Sequence, residues 1–269
     1  MKKHMKKHLS SFIPSAVAAG LAIGGLTASA QTLALQLKAS NYNPTSGVWT
    51  DSSGNITPDN ATYSGTLYPT LATGATPNGS SAVDLPGGGF RFNLATGLSG
   101  ASGYTVFAYV ESAATGPNAI TGGNGNGGLE FRINNNQEDA LREYKQDFGS
   151  ASGTLTSGSF NLVDIAVSSA GGAYYLNDLT GTPDGTIAAN AGFGDSILEI
   201  GNNAGNGEGF TGDIAEIDIF TGVMNSTQIS AEEAALTAAY VTPVPEPTTW
   251  VMLAGGLGTL IGMRRFRRS

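Results

Sequence analysis

The short, glycine-rich stretch from Gly201 to Gly209 contains several side chains whose amide or carboxylate oxygens could bind a ligand. Its oxygen-bearing candidates for ligand or metal contact are Asn202, Asn203, Asn206 and Glu208. Because Ca²⁺ takes six to eight oxygen ligands from such residues and from main-chain carbonyls, this loop is a candidate calcium and ligand-binding loop. Asp84 and Asp195 are candidate further metal ligands. The stretch has no EF-hand spacing, and glycine and asparagine also form plain turns without any ligand.

Trp49 is the candidate for contact with a sugar ring, together with Tyr42 or Tyr63. These aromatic residues lie between Asn41 and Asn78, which is rich in Gly, Pro, Thr and Asn and is predicted to be mostly loop. Large aromatic side chains dominate protein cores, so packing of Trp49 in the core is the favoured alternative.

The residue types that are missing exclude several kinds of chemistry. The chain has no cysteine, so it has no disulfide framework and no thiol nucleophile. Its two histidines, His4 and His8, lie in the first 30 residues. The chain from Gln31 onward therefore cannot form a Ser-His-Asp triad or a histidine-ligated zinc site.

The first 30 residues are predicted to be a secretory signal peptide. Four lysines precede an apolar stretch from Phe12 to Leu26, and the small residues Ala28-Ser29-Ala30 follow as a cleavage site. Cleavage there leaves Gln31 as the first mature residue. Export implies passage through a secretion translocon.

The last 26 residues, 244–269, have three parts that suit sorting at a membrane. Pro245, Glu246 and Pro247 keep the backbone extended and accessible, because proline fixes φ and removes an amide donor. The apolar run from Trp250 to Met263 is shorter than the roughly 20 residues of a comfortable span and predicts an apolar tail helix with transient inner-membrane anchoring. A basic end follows: Arg264, Arg265, Arg267 and Arg268. These arginines are expected to stay on the cytoplasmic side.

This tail resembles the PEP-CTERM sorting signal of Gram-negative bacteria in residue type, order and position. The resemblance implies cleavage by an intramembrane exosortase and delivery to the cell surface or the extracellular space, often beside exopolysaccharide. An ordinary C-terminal membrane anchor is the alternative.

Charge is distributed unevenly between the ends and the body. Of 13 basic and 21 acidic residues, each end holds four basic ones and the tail holds Glu246. The body from Gln31 to Pro243 keeps five basic and twenty acidic residues, a formal charge of −15. Such a body repels nucleic acid and anionic lipid, so no nucleic-acid partner is expected.

Short apolar runs between Gly and Asn turns predict an all-β body that forms one domain, 31–243. Leu33, Leu35 and Leu37 share one face of a strand, and Leu162 to Asn177 predicts a hairpin. Gln137 to Phe148 has spacings that suit either helix or strand. Ser230 and Glu233 match a capping box and predict a short helix that ends near Tyr240.

The order of elements from Phe160 to Tyr240 resembles the laminin-G-like, concanavalin A-like jelly roll. The resemblance rests on Tyr174-Tyr175-Leu176-Asn177, on Leu198 to Gly201 and on the acidic-hydrophobic strand from Gly212 to Phe220. It implies two stacked antiparallel sheets with ten to fourteen strands, and a sugar or protein partner at the rim loops or on a concave sheet, often beside Ca²⁺.

The same fold contains β-glucanases, whose Glu-Ile-Asp-Ile-x-Glu strand resembles Glu216 to Thr221. Glu216 and Asp218 match its first two acids, and alternation places both on one face of a strand. The second glutamate is missing, since Phe220 and Thr221 occupy its place. Retaining hydrolysis needs two carboxyls roughly 5–5.5 Å apart, one of them protonated. We therefore expect no catalysis and expect Glu216 and Asp218 to face solvent.

Together these features predict an exported, exosortase-sorted surface or matrix protein whose domain binds carbohydrate. The alternatives are a structural or adhesive protein that binds a protein partner, and a glycoside hydrolase of the concanavalin A-like type.

Overall fold

The computed structural model describes residues 31–65, 68–87, 91–112, 117–123, 129–134, 140–143, 146–148, 155, 158–177, 179–189, 196–202 and 208–242. The predicted signal peptide, with Ala28 and Ala30, lies outside these residues. The sorting motif Pro245-Glu246-Pro247, the tail helix and the terminal arginines also lie outside them. No helix among the described residues is long and apolar enough to cross a membrane.

The described chain is built from strands and one helix. The first eight strands are β1 (Thr32–Asn43), β2 (Val48–Asp51), β3 (Ala61–Ser64), β4 (Thr70–Ala72), β5 (Ala82–Pro86), β6 (Arg91–Leu98), β7 (Gly103–Ser112) and β8 (Pro117–Gly122). The rest are β9 (Phe131–Asn134), β10 (Ala140–Glu143), β11 (Gln146–Phe148), β12 (Phe160–Ser168), β13 (Gly171–Leu176), β14 (Gly185–Ile187), β15 (Ile197–Ile200), β16 (Thr211–Thr221) and α1 (Ser226–Tyr240).

The strands form the antiparallel jelly-roll sandwich that the sequence predicts. The first layer has the order β14-β13-β12-β7-β16-β1, and β5 also pairs with β16. The second layer has the order β2-β3-β6-β15-β8-β9-β10-β11. Strand β1 belongs to both layers, because Thr32 to Lys38 pair with β16 and Leu37 to Asn43 pair with β2. The sixteen described strands exceed the ten to fourteen that the resemblance implied.

Two apolar cores hold the molecule together. The larger lies between the layers and includes Leu35, Trp49, Phe92 and Ile217. The smaller lies between the outer face of β7, β12 and β16 and helix α1, which contributes Ile229, Leu236 and Tyr240. Each fully buried side chain of this size contributes roughly 1.5–3 kcal/mol relative to exposure.

Several local predictions are confirmed. β12 and β13 form the predicted hairpin, with Gly171 at φ +95° in its turn. Leu35 and Leu37 are fully buried on one face of β1, and Leu33 is partly buried. Asn177, at φ +49°, ends the hairpin and accepts a hydrogen bond from the Leu162 amide at 2.9 Å.

Two local predictions are wrong or incomplete. The stretch from Asn41 to Asn78 contains β2, β3 and β4 and is less of a loop than predicted. Helix α1 begins one turn earlier than the predicted Ser230–Glu233 box, because Asn225 and Gln228 form the capping box. Ser230 instead donates to the Leu179 carbonyl at 2.8 Å, and Glu233 is fully buried. The sequence left Gln137 to Phe148 open between helix and strand. Within it, β10 and β11 are strands.

Candidate functional site

The predicted ligand loop is attached to the second layer at both ends. Asn202 is the second residue after β15, and Glu208 precedes β16. The Gly201 amide donates to the Ile120 carbonyl at 2.9 Å, and the Ala119 amide donates to the Glu208 carbonyl at 3.2 Å. Asn203 and Asn206 lie outside the described residues. The ends of the loop are therefore part of the sheet structure.

The side chain of Glu208 forms an ion pair. It contacts Arg132, which also lies 3.1 Å from Glu130. Arg132 and Glu130 are buried. Because the guanidinium compensates the Glu208 charge, this carboxylate is not free to bind a cation. Asn202 is 1% exposed, and its side-chain oxygen is buried without a hydrogen-bond donor among the described residues.

The candidate metal ligand Asp84 lies on β5, opposite Asp213 of β16. Its Oδ2 atom accepts a hydrogen bond from Thr70 Oγ1 at 3.3 Å. Burial, then the charges of Asp84 and Glu111, raise the pKa of Asp213 to about 6. Asp195 lies outside the described residues. Among the residues that the structure describes, no three acidic, histidine or cysteine side chains are grouped to hold a metal ion.

Trp49 is a core residue and cannot stack on a sugar in this structure, which corrects the prediction that it contacts a ligand. Its side chain is fully buried, and Nε1 donates to the Lys38 carbonyl at 2.7 Å. Its ring packs edge-on against Phe92 and Tyr42, at centroid distances of 5.2 and 6.2 Å. The alternative of core packing is therefore the correct one.

An exposed aromatic pair lies beside this cluster. The ring of Tyr68 is stacked at a tilt of 34° on Tyr63, with centroids 4.8 Å apart, and Tyr68 is 70% exposed. We call Tyr63 and Tyr68 the tyrosine pair. Tyr63 is the third residue of β3 and packs against the larger core. One tyrosine thus anchors the pair, while the other presents its ring to solvent.

The neighbouring turns fix the tyrosine pair in place. The Tyr63 amide donates to the Gly47 carbonyl at 2.9 Å. Gly47 has φ +67°, and a Cβ atom there would lie 3.2 Å from the Tyr63 Cβ, so the backbone conformation and the tight contact both favour glycine. The Tyr42 hydroxyl donates to the Pro69 carbonyl at 3.1 Å and holds the segment after Tyr68. Burial, then Tyr63, raise the pKa of Tyr42 to about 12.

The acidic residues of β16 lie in the interior, so the prediction that they face solvent is wrong. Glu216 is 2% exposed and Asp218 is 1% exposed. They share one face of β16, as alternation predicts, but helix α1 covers that face. Glu216 accepts hydrogen bonds from Tyr240 at 2.5 Å and Gln36 at 3.0 Å, and it lies 3.4 Å from Lys38.

Asp218 has no such cationic neighbour among the described residues. Burial, then the charges of Glu216 and Glu232, raise the pKa of Asp218 to about 9. The pKa of Glu232 is also raised, mainly by burial. A cleft of about 210 Å³ reaches Glu216 between Lys38, Ser81 and Tyr240, and Asp218 does not line it. The two carboxyls therefore do not share an open substrate cleft in the described structure.

Comparison with known proteins agrees with this architecture. Residues 78–230 match the family model of the concanavalin A-like lectin/glucanases superfamily, a laminin G domain. Residues 243–268 match the PEP-CTERM protein-sorting motif. No curated protein matches the chain.

Several solved structures share the fold at low sequence identity. Domain 4 of AbnA, an extracellular arabinanase of Geobacillus stearothermophilus in complex with arabinotriose, has 17% identity and a TM-score of 0.55, with 75% of this chain and 98% of that chain covered. A GH54 arabinofuranosidase has 15% identity and a TM-score of 0.54, with 72% and 50% covered. Trypanosoma rangeli sialidase has 15% identity and a TM-score of 0.52, with 76% and 33% covered. The chain thus spans half or less of the two enzymes.

The described strands form a concanavalin A-like sandwich, and a sorting motif follows it in the sequence. Because the family model covers more than half of the sequence, the chain belongs to the concanavalin A-like lectin/glucanases superfamily. Its C-terminal PEP-CTERM motif points to an exported protein.

Proposed function

We propose that this protein binds exopolysaccharide at the cell surface or in the extracellular matrix, through the tyrosine pair. On this proposal the chain leaves the cytoplasm through the secretion translocon, is anchored transiently in the inner membrane, and is processed by an exosortase-type enzyme. The observation that carries the binding proposal is the Tyr68 ring, 70% exposed and stacked on the anchored Tyr63.

The chemistry of the tyrosine pair suits a saccharide. A tyrosine ring offers an apolar face and a polar hydroxyl, and it orders few rotatable bonds on binding. The body carries a formal charge of −15, which disfavours polyanions and favours a neutral or cationic glycan. Family membership and the arabinotriose complex of the AbnA domain support a saccharide ligand by analogy alone.

Two substitutions of Tyr68 test the proposal on the mature secreted protein. A glycan array followed by calorimetry on the best ligand should show that Tyr68→Ala weakens binding about fivefold or more, the loss of roughly 1 kcal/mol of stacking. Tyr68→Phe retains the ring and should bind nearly as well as the natural protein. Val223→Ala removes an exposed apolar side chain elsewhere and serves as the control, since Val223 is 40% exposed.

A protein partner is the alternative to a saccharide. The structural or adhesive role would be favoured by two results together. The glycan array would give no signal, and the protein would capture one matrix protein that the Tyr68→Ala variant no longer binds. Equal glycan affinity of Tyr68→Ala and the natural protein would refute the assignment to the tyrosine pair.

We also propose that the domain has no hydrolase activity. The support is that Glu216 is buried and hydrogen-bonded to Tyr240 and Gln36, while Asp218 lies outside the small cleft that reaches Glu216. A reducing-sugar assay on several β-glucans should show no turnover. Turnover that Glu216→Gln abolishes would contradict this proposal.

A further inference from the structure

An open groove lies on the outer face of the first layer, between helix α1 and the start of β12. It encloses about 280 Å³, which is below the roughly 300–1,000 Å³ of most small-molecule pockets. Its lining includes Tyr109, Phe160, Leu162, Leu179, Thr237 and Val241, and no charged side chain of the described residues lines it. We call it the α1 groove. Its size and lining suit a few uncharged side chains of a peptide.

The α1 groove contains apolar side chains that the fold leaves uncovered. The described residues expose five large apolar or aromatic side chains, and two of them lie here: Leu179 is 49% exposed and Val241 is 40% exposed. Phe160 is partly buried, and its ring stacks on Tyr109 with centroids 5.2 Å apart. Exposed apolar side chains that are grouped in a groove indicate a surface for another segment or partner.

Hydrogen bonds to helix α1 fix both walls of the groove. The Asn78 amide donates to the Tyr240 carbonyl at 3.1 Å, and this bond holds the neighbouring Pro77 at one end. The Ser230 hydroxyl donates to the Leu179 carbonyl at 2.8 Å and holds the other end. A groove fixed in this way loses little conformational freedom when a peptide binds.

The chain itself leaves helix α1 at the rim of this groove. The amides of Val241 and Thr242 both donate to the carbonyl of Thr237, at 2.9 and 3.2 Å, and Thr237 lines the groove. Thr242 is the last described residue, and the sequence continues with Pro243-Val244-Pro245-Glu246-Pro247. A segment attached by so short a connection has an effective concentration in the millimolar range at least. Even a weak contact with the groove would therefore be well populated.

This segment matches the α1 groove in length and in chemistry. Helix α1 rises about 16 Å from Ser230 to Val241, at 1.5 Å per residue. Five residues in the polyproline II conformation, which three prolines favour, cover roughly 15 Å. With three residues per turn, Val244 and Pro247 share one face and Glu246 lies on another. Proline-rich segments in this conformation bind to aromatic-lined grooves, as Phe160 and Tyr109 provide here.

We propose that the α1 groove binds the segment 243–247 of the same chain, with Val244 and Pro247 against its apolar lining and Glu246 towards solvent. The folded sandwich then holds its own sorting motif until the tail is removed. This inference does not rest on saccharide binding, because Tyr68 does not line the groove.

Disulfide trapping tests the proposal on the unprocessed protein, expressed without an exosortase-type enzyme and purified in detergent. The natural sequence has no cysteine, so two introduced thiols are the only ones present. In glutathione buffers, Leu179→Cys combined with Pro247→Cys should form an intramolecular disulfide, which requires Cα atoms within about 7 Å. Its effective concentration should exceed that of a control pair about tenfold or more.

The control pair is Ala239→Cys combined with Pro247→Cys. Ala239 is exposed and lines a different cleft, beside Lys38. A tail without a preferred position would reach Ala239 at least as often as Leu179, because Ala239 lies only three residues before Thr242. Adding Val244→Glu to the Leu179 pair should reduce its effective concentration to that of the control pair, and it changes no residue of the described fold.

Two results would overturn the inference. Equal effective concentrations for the two pairs would show that the tail has no preference for the groove. Disulfides that form mainly between chains, and increase with protein concentration, would show that a second copy occupies it. Tyr68→Ala should leave the trapping unchanged, so failure here leaves saccharide binding by the tyrosine pair standing.

Discussion

At the scale of single residues, two neighbouring carboxyls on β16, Glu216 and Asp218, have different environments. Glu216 is surrounded by donors from Lys38, Gln36 and Tyr240. Asp218 faces the carboxyls of Glu216 and Glu232, and burial raises its pKa to about 9. A proton on Asp218 at neutral pH lowers the repulsion among these three carboxyls, two on β16 and one on helix α1.

Asp218 should make the stability of the protein depend on pH in a defined direction. Its pKa rises from 3.8 in the unfolded chain to about 9 in the folded one. The folded state thus holds a proton that the unfolded state releases, so this stabilisation is complete below pH 3.8 and is lost as the pH rises to about 9. Asp218→Asn keeps a neutral side chain at every pH. Thermal unfolding should therefore show the variant gaining stability relative to the natural protein as the pH rises.

Parallel pH profiles for Asp218→Asn and the natural protein would contradict a protonated Asp218. The comparison between the two proteins cancels other titrating groups such as Asp213, whose pKa lies at about 6.

Tyr240 should stabilise the fold through its hydroxyl. The hydroxyl donates to Glu216 at 2.5 Å in a buried site, and burial, then this hydrogen bond, raise the pKa of Tyr240. Tyr240→Phe removes the donor and leaves a buried carboxylate short of a partner, at a cost of about 1–3 kcal/mol in the free energy of unfolding. Urea unfolding measures the loss. Tyr68→Phe is the matched control and should change stability by a few tenths of a kcal/mol at most, since that ring is 70% exposed.

Sequence alternation correctly predicts that Glu216 and Asp218 share a face, yet it does not say what covers that face. Acidic residues on a strand usually face solvent. The correction comes from helix α1, which begins five residues after the end of β16 and whose packing on β16 is a tertiary effect. Tyr68 escaped prediction as a contact residue for a related reason, because a single aromatic in a turn-rich stretch has no periodic signal.

At the scale of elements, long periodic strands were predictable, whereas the three short strands β2, β3 and β4 were not. β1, β16 and the β12–β13 hairpin have alternating or continuous apolar residues over 6 to 12 positions. β2, β3 and β4 have three or four residues each, too few to show a period, and their pairing with β1, β6 and β5 fixes them. Their conformation depends on partners distant in sequence, which local pattern does not contain.

Helix α1 offers a test of which residue caps it. Asn225 Oδ1 accepts a hydrogen bond from the Gln228 amide at 3.1 Å, and the Asn225 amide donates to Gln228 Oε1 at 3.0 Å. Asn225→Ala should therefore lower the free energy of unfolding by about 1 kcal/mol. Ser230→Ala, at the position that the sequence pattern favours, should cost less, because the Ser230 hydroxyl donates to the Leu179 carbonyl at an exposed site and does not cap the helix. A larger cost for Ser230→Ala in chemical denaturation would contradict the observed cap.

At the scale of the whole molecule, the domain and the sorting motif both agree with an exported protein. The family model and the described strands establish a concanavalin A-like domain, and a PEP-CTERM sorting motif follows it in the sequence. Composition already excludes histidine-dependent catalysis by the residues from Gln31 onward, since His4 and His8 precede Gln31. The ligand was not predictable in the same way, because its contacts depend on which aromatic and acidic side chains the fold leaves exposed.

The central claim is that both ends serve export and that the domain works outside the cell. Mass spectrometry of both termini, on protein from cells with and without the exosortase-type enzyme, tests it most directly. With the enzyme, the extracellular protein should begin at Gln31 and lack the arginines from Arg264 to Arg268, and without it the tail should remain on a membrane-bound form. An intact chain in the cytosol that still carries Met1 and those arginines would contradict the account.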